Sequence, residues 1–153
     1  MSGFEIRAMS REDAEAVAGW HYDPPYDFYD FRGDPDDLGE LLDPNSWVDD
    51  YHAVDLDGEL VGFFSFKRHD DALEIGLGLR PDLTGKSLGA AFVDAGLAYA
   101  LERFSPRELF LDVATFNDRA KKVYERAGFR ASHVWIHESR QGRVEFLRMT
   151  RPA

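Results

Sequence analysis

The sequence predicts an α+β fold: a mixed, mostly antiparallel sheet of about seven strands flanked by about four helices. Three observations carry that reading. Short apolar stretches are bounded by turn residues, two longer stretches repeat apolar residues at helical spacing, and the chain holds a single strand–helix–strand unit between runs of hairpin-like strands.

The elements follow in order. Phe4 to Met9 reads as a first strand. Ser10 with Asp13 three residues later is a variant capping box, opening a helix through Ala14, Val17 and Trp20. The stretch from Trp20 to Asp37 is rich in Pro, Asp and aromatics and reads as irregular, with a short helix from about Asp37 to Leu42. Trp47 to Asp55 and Glu59 to Phe66 flank Leu56-Asp57-Gly58, a hairpin signal. Ala72 to Leu79 is a further strand. Ser87 to Phe104 has helical spacing, and Leu109 to Val113 is a short apolar strand. Asn117 to Ala127 places Ala120, Val123, Tyr124 and Ala127 on one helical face, and Gly128 ends that helix. Arg130 to Glu138 and Arg143 to Met149 form a last pair, turned at Gln141-Gly142. No repeat or linker interrupts the 153 residues, so a single domain over 1–153 is expected.

Composition narrows the function. A formal net charge of −11 argues against nucleic-acid partners and against an anionic membrane surface. The charge is uneven: residues 21–74 carry 16 Asp or Glu against 3 Lys or Arg, whereas residues 103–151 carry 11 Lys or Arg against 6 Asp or Glu. Opposite ligand charges at the two halves would account for this, and so would ordinary solvated surface. No apolar run reaches the length of a membrane span, and the first residues lack the order of a secretory signal, so a cytoplasmic protein is expected. Cysteine is absent, which removes thiolate nucleophiles, disulfides and thiolate metal sites; the five histidines show no ligand spacing, so no metal is expected.

Gly85-Lys86-Ser87 invites comparison with the phosphate loop of nucleotide hydrolases. That loop needs a glycine five residues before Gly85, where Arg80 stands, and a fold with several parallel strand–helix units, where this chain offers one. The remaining reading is a strand, a glycine-containing loop and a helix N-terminus whose unpaired N–H groups from Lys86 onward suit a pyrophosphate. Ser87 is the expected helix start, and capping alone would explain it.

Taken together, two segments resemble the acetyl-CoA motifs of the GNAT acetyltransferase superfamily. Leu77-Gly78-Leu79-Arg80-Pro81-Asp82-Leu83-Thr84-Gly85-Lys86-Ser87-Leu88-Gly89 is similar to the family's strand, loop and helix start. The segment from Leu111 to Phe129, beginning 26 residues after Gly85, is similar to its second motif, with Asn117, Ala120, Tyr124 and Gly128-Phe129 in place. Thr84 and Ser87 depart from the pattern, standing where the family usually has Gln or Arg and Gly. Within the family the chain resembles the small single-domain RimI/RimJ-like members.

The resemblance implies an N-acetyltransferase that moves an acetyl group from acetyl-CoA to a primary amine by direct attack in a ternary complex. It places the cofactor against Leu77, Gly78, Leu79, Thr84, Gly85, Lys86, Ser87, Leu88, Gly89 and Ala90, with Asn117 and Tyr124 alongside. Arg119, Lys121 and Lys122 join Lys86 as candidates for its outer phosphates. Gly78 within a strand fits close backbone approach, or a bulge. Tyr124 matches the residue that protonates the departing thiolate, and a core tyrosine would fit the same helix face. Glu74 and Asp112 rank equally as the base, ahead of His21 and His52. The acceptor site implied is the segment holding His21, Tyr22, Tyr26, Asp27, Phe28 and Tyr29, where aromatics and carboxylates suit a cationic amine. The acceptor itself stays open among polyamine-like, aminoglycoside-like and amino-acid amines and protein N-termini. The oligomeric state also stays open, a homodimer among the options. The alternative is a non-catalytic module that holds an acyl-CoA as sensor or adaptor, and a third reading transfers a longer acyl group.

Overall fold

A computed structural model describes residues 3–31, 35–47, 51–84, 88–139 and 142–153. Seven strands form one sheet: β1 (Phe4–Ala8), β2 (Tyr51–Leu56), β3 (Glu59–His69), β4 (Ala72–Leu79), β5 (Glu108–Ala114), β6 (Arg130–Ser139) and β7 (Gly142–Pro152). Their order is β1-β2-β3-β4-β5-β7-β6. Every neighbouring pair is antiparallel except β4 and β5, which are parallel. The helices are α1 (Arg11–Ala18), α2 (Pro35–Leu42), α3 (Gly89–Phe104) and α4 (Asp118–Arg126). Among the described residues no helix is long and apolar enough to cross a membrane.

Local chemistry explains most boundaries. Ser10 and Asp13 form the expected capping box, each side chain bonding the other's backbone N–H. The helix ends at Ala18, two residues short of the expected Trp20, because the amides of Gly19 and Trp20 turn back to Ala16 and Val17. β2 begins at Tyr51 rather than Trp47. Asp43 and Pro44 start a turn of 3-10 helix there, and the Trp47 indole donates to the Leu41 carbonyl at 2.8 Å. The Asp57-Gly58 turn has φ of 53° and 82°, the left-handed pair that a two-residue hairpin requires.

Alternation along the strands divides the core in two. Leu73 and Ile75 of β4, Leu109, Leu111 and Val113 of β5 and Met149 of β7 face α3 and α4. On that side Phe64 stacks on Phe92 at 4.5 Å, and Gly96 of α3 lies where a Cβ would come within 2.2 Å of the Phe64 ring. The absent side chain lets α3 sit down on the sheet. On the opposite face α1 and α2 cover the β1–β3 end through Met9, Ala14, Val17 and Leu41, packed around Tyr51 and Phe63.

Candidate active site

The sheet comes apart between β4 and β5. Their parallel ladder holds three pairs, Ala72 with Glu108, Leu73 with Leu109 and Glu74 with Phe110. Beyond Glu74 the strands diverge, β4 staying on β3 as far as Leu79 and β5 on β7 as far as Ala114. Which groups face the gap follows from antiparallel geometry. The Arg80 amide donates to Val61 at 2.7 Å, so alternate residues of β4 bond to β3, and Gly78 is one of them. Leu77 and Leu79 turn their N–H and C=O the other way, toward the opening. Within the expected Leu77–Leu79 set, two residues therefore present polar groups to the gap and one does not. Gly78 serves another purpose: a Cβ there would lie 2.5 Å from the ring of Phe63, its cross-strand partner.

The wide end of the gap is bordered by the start of α3. Phe92, in the first turn, packs over Gly62, which pairs with Leu79. The helix starts at Gly89, later than the expected Ser87, with Leu88 as N-cap. No described side chain caps it, and the first helical bond runs from the Phe92 amide to Leu88. Gly85, Lys86 and Ser87 lie outside the described residues. Thr84 closes the preceding turn on itself, its hydroxyl donating to the Pro81 carbonyl at 2.8 Å. Ala90 is exposed on the first turn of α3, and a Cβ on Gly89 would touch Val123 of α4 at 3.6 Å.

On the β5 side the chain turns into α4. Asn117 is its N-cap, accepting from the Ala120 amide at 3.2 Å and donating through Nδ2 to the Tyr29 hydroxyl at 3.2 Å. The helix ends in a Schellman motif: the Phe129 amide reaches the Tyr124 carbonyl and the Gly128 amide reaches Glu125, with Gly128 at φ 99°. The buried Phe129 ring meets the Tyr124 ring edge-on at 6.2 Å, so the Ala127-Gly128-Phe129 sequence fixes where Tyr124 stands. Burial, with a smaller contribution from Tyr29, pushes the Tyr124 phenol above its ordinary range.

The aromatic segment after α1 reaches both arms of the gap. Tyr22 donates its hydroxyl to the Leu79 carbonyl at 2.6 Å. Tyr29 accepts from the Ala114 amide at 3.4 Å, besides Asn117. Tyr26 leans on Phe116 and lies beneath the Arg119 guanidinium, 5.1 Å from the ring centre. His21 is exposed and bonded to Asp30 at 2.6 Å, Asp27 is exposed, and the side chain of Phe28 lies outside the described residues. The expected acceptor residues thus divide: Tyr22, Tyr26 and Tyr29 border the wide end, while His21 and Asp27 face outward. Lys121 is committed to the Thr115 carbonyl and Asp118, whereas Lys122 is exposed. His52 is buried among Phe66 and Tyr99, on the core side.

The two candidate carboxylates stand on the open face at the closed end of the gap, in different states. Glu74 is half-exposed and bonded to His69 Nε2 at 2.8 Å. Asp112 receives Arg148 Nε and Nη2, each at 3.0 Å, and Trp135 Nε1 at 3.0 Å. His69, Trp135, Phe146 and Arg148 were not singled out from the sequence. Alternation along β5 puts Asp112 opposite Leu111 and Val113, but the order β5-β7-β6 is needed to bring Arg148 and Trp135 to it. Among the described residues no group of three or more His, Cys, Asp or Glu side chains is placed to hold a metal.

The family model described as "Acetyltransferase (GNAT) family" matches residues 6–129. The chain belongs to the GNAT acetyltransferase family. GNAT proteins are acyltransferases whose acetyl donor is acetyl-CoA. Curated relatives are mycothiol acetyltransferases. That of Clavibacter sepedonicus is 38% identical over 112 residues, 71% of this chain and 36% of the relative. That of Actinosynnema mirum is 37% identical over 94 residues, 58% of this chain and 31% of the relative. The chain spans about a third of the length of these relatives. A solved chimera of Vibrio cholerae spermidine N-acetyltransferase SpeG with hSSAT superposes with a TM-score of 0.79 at 20% identity, over 98% of this chain and 95% of that one. AAC(6')-Ib in complex with paromomycin and acetyl-CoA superposes with 0.75 at 18% identity, over 98% and 93%. The fold is the GNAT fold, as the sequence predicts.

Proposed function

We propose that the chain, acting as one domain over 1–153, is an acetyl-CoA-dependent N-acetyltransferase acting on a primary amine by direct attack. The observation that carries this is the β4–β5 gap, with the polar groups of Leu77 and Leu79 turned into it, Asn117 at its border and Tyr124 on the helix that Asn117 caps. The residues present fit acetyl-CoA, which supplies an activated acetyl group as a thioester. The first turn of α3, which no described side chain caps, suits a pyrophosphate at the wide end through Leu88, Gly89 and Ala90. Gly85, Lys86 and Ser87 belong to the same proposal through their place in the family motif. A thioester held this way would face the closed end, where the open face carries Glu74.

Each role follows from chemistry. The Leu77 N–H is a fixed donor for a carbonyl oxygen gaining negative charge. Tyr124 keeps its proton because burial disfavours the phenolate, so the proton is available to a departing sulfur. Glu74, half-exposed and oriented by His69, takes the proton of the attacking amine directly or through water. Asp112 is the weaker candidate for the base, since three donors already occupy its two oxygens. The RimI/RimJ-like placing enters through the acceptor it suggests, a peptide N-terminus.

The test is release of free thiol from acetyl-CoA across an amine panel. The absence of cysteine leaves no protein thiol to react with the reagent. Turnover with at least one amine is expected, and Glu74→Gln should lower it about 100-fold or more. Tight coenzyme A binding with no turnover of any amine would favour the sensor or adaptor module instead.

A further inference from the structure

The open face beside Glu74 holds a cation that the proposed chemistry does not use. Arg148 of β7 is held on two sides. Asp112 takes Nε and Nη2 in a fork, each at 3.0 Å, and the guanidinium lies 4.5 Å from the Phe110 ring centre and 6.0 Å from that of Trp135. The fork and the aromatic walls fix its plane. An arginine has five N–H donors, of which Asp112 takes two. The Nη1 group makes no bond among the described residues, and the side chain keeps 32% of its exposure.

Its location matters as much as its state. Phe110 pairs with Glu74 at the last rung before β4 and β5 part, so Arg148 stands at the closed end of the gap. It lies on the face opposite α3 and α4, beyond the β1–β3 end that α1 and α2 cover. Glu74 is within electrostatic reach of it. Glu74, bonded to His69, and the rigid Arg148 cation therefore share one face of the sheet, next to where the amine must arrive.

Resting on the transferase reading, we infer that Arg148 selects the acceptor: an amine carrying a carboxylate or carbonyl oxygen a few bonds away, as in an α-amino acid or the first residue of a peptide. The ammonium goes to Glu74 and the oxygen to the free Nη1 edge of Arg148. A polyamine offers no oxygen and places a second positive charge against the guanidinium, so it is the disfavoured class. Asp112 holds Arg148 in place and leaves the proton transfer to Glu74.

Matched acceptors test this in the wild-type protein: tyrosine against tyramine, lysine against cadaverine, a short peptide against the same peptide lacking its first carbonyl, and spermidine. The expected result is a kcat/KM at least 10-fold higher for the oxygen-bearing member of each pair, as a hydrogen bond to a charged group implies. Arg148→Met should erase that ratio by raising KM for the oxygen-bearing acceptor while leaving the plain amine within about twofold. Calorimetric titration of acceptors in the presence of coenzyme A should show the same preference in binding, without turnover. Preference for free amino acids and preference for peptides both support the inference and tell its two sources apart. Turnover that favours tyramine, cadaverine or spermidine overturns it while leaving the transferase reading intact. No turnover of any amine overturns both. If Arg148→Met does not fold, the wild-type ratios and titrations still decide.

Discussion

Two arginines on this sheet are used in opposite ways. Arg7, on β1, spends every donor internally although its side chain is no less exposed than that of Arg148: Asp13 takes bonds of 2.6 and 2.9 Å, Asp55 takes 2.6 and 3.1 Å, and the Ala8 carbonyl takes one at 3.2 Å. Arg148, at the open face, gives two bonds to Asp112 and keeps the rest of its fork exposed. The same contrast separates the β1–β3 corner from the β4–β5 gap. In the corner, helix, strand and neighbouring strand are joined by one saturated guanidinium. In the gap, Leu77 and Leu79 turn backbone groups away from the sheet. Unmade hydrogen bonds in a folded protein cost free energy when buried, so they persist where a ligand or another segment completes them. The corner is built to hold and the gap to receive.

The largest expected effect lies in the gap. Tyr124→Phe keeps the ring against Phe129 and removes only the hydroxyl that carries the proton, so kcat should fall about 100–1000-fold while coenzyme A affinity stays within a few-fold. Steady-state rates and a calorimetric titration check both halves. An unchanged kcat would mean that the gap needs no acid from α4, and would remove the phenol from the proposal.

How much of this was legible beforehand depended on the range of the interaction. The Asp57-Gly58 hairpin, the Ser10–Asp13 box and the Gly128 cap were read correctly because each is decided within a few residues of chain. β4 was placed from Ala72 to Leu79 by its own flanking turns. The family resemblance marks the segment around Tyr22 and Tyr29 as acceptor-binding, yet its hydroxyls meet Leu79 and Ala114, 57 and 85 residues away. No local pattern announces such contacts. Arg148 was missed for the same reason: it lies 36 residues from Asp112, and only the order β5-β7-β6 makes them neighbours.

The next effect belongs to the corner. Burial alone would raise the Asp13 carboxyl, but the Arg7 guanidinium and the Ser10 amide and hydroxyl outweigh it and hold the group below its ordinary 3.8. A depressed carboxyl contributes stability that is complete above the unfolded-state value and is lost as pH falls through the folded-state value. Asp13→Asn should therefore cost about 2 kcal/mol at pH 7, the scale of a hydrogen bond to a charged group. The difference from wild type should shrink steadily below pH 3.8. Urea midpoints at pH 7 and pH 3 measure this, and a difference that stays constant would mean that the box acts through packing rather than charge. Turnover should be unaffected per folded molecule, since the corner lies outside the gap.

The smallest effect joins the two regions, because Tyr22 leaves the covered corner to cap a carbonyl of the gap. Its hydroxyl donates to Leu79 at 2.6 Å, and burial, with the nearby Asp30 charge, raises the phenol well above its ordinary range, so the proton stays in the bond. Leu79 turns that carbonyl toward the gap, where an amide lying along β4 would also seek it. Hydroxyl and ligand then compete for one acceptor. Tyr22→Phe should lower the stability of the free protein by about 1 kcal/mol, the net value of an ordinary hydrogen bond. The same change should tighten coenzyme A binding by up to about fivefold, because the carbonyl no longer has to be released. Thermal midpoints with and without saturating coenzyme A separate the cases: the variant should lose stability alone and regain most of it when liganded. Equal losses in both states would show that hydroxyl and ligand do not share the carbonyl, and that the strap of residues 21–31 belongs to the corner rather than to the gap.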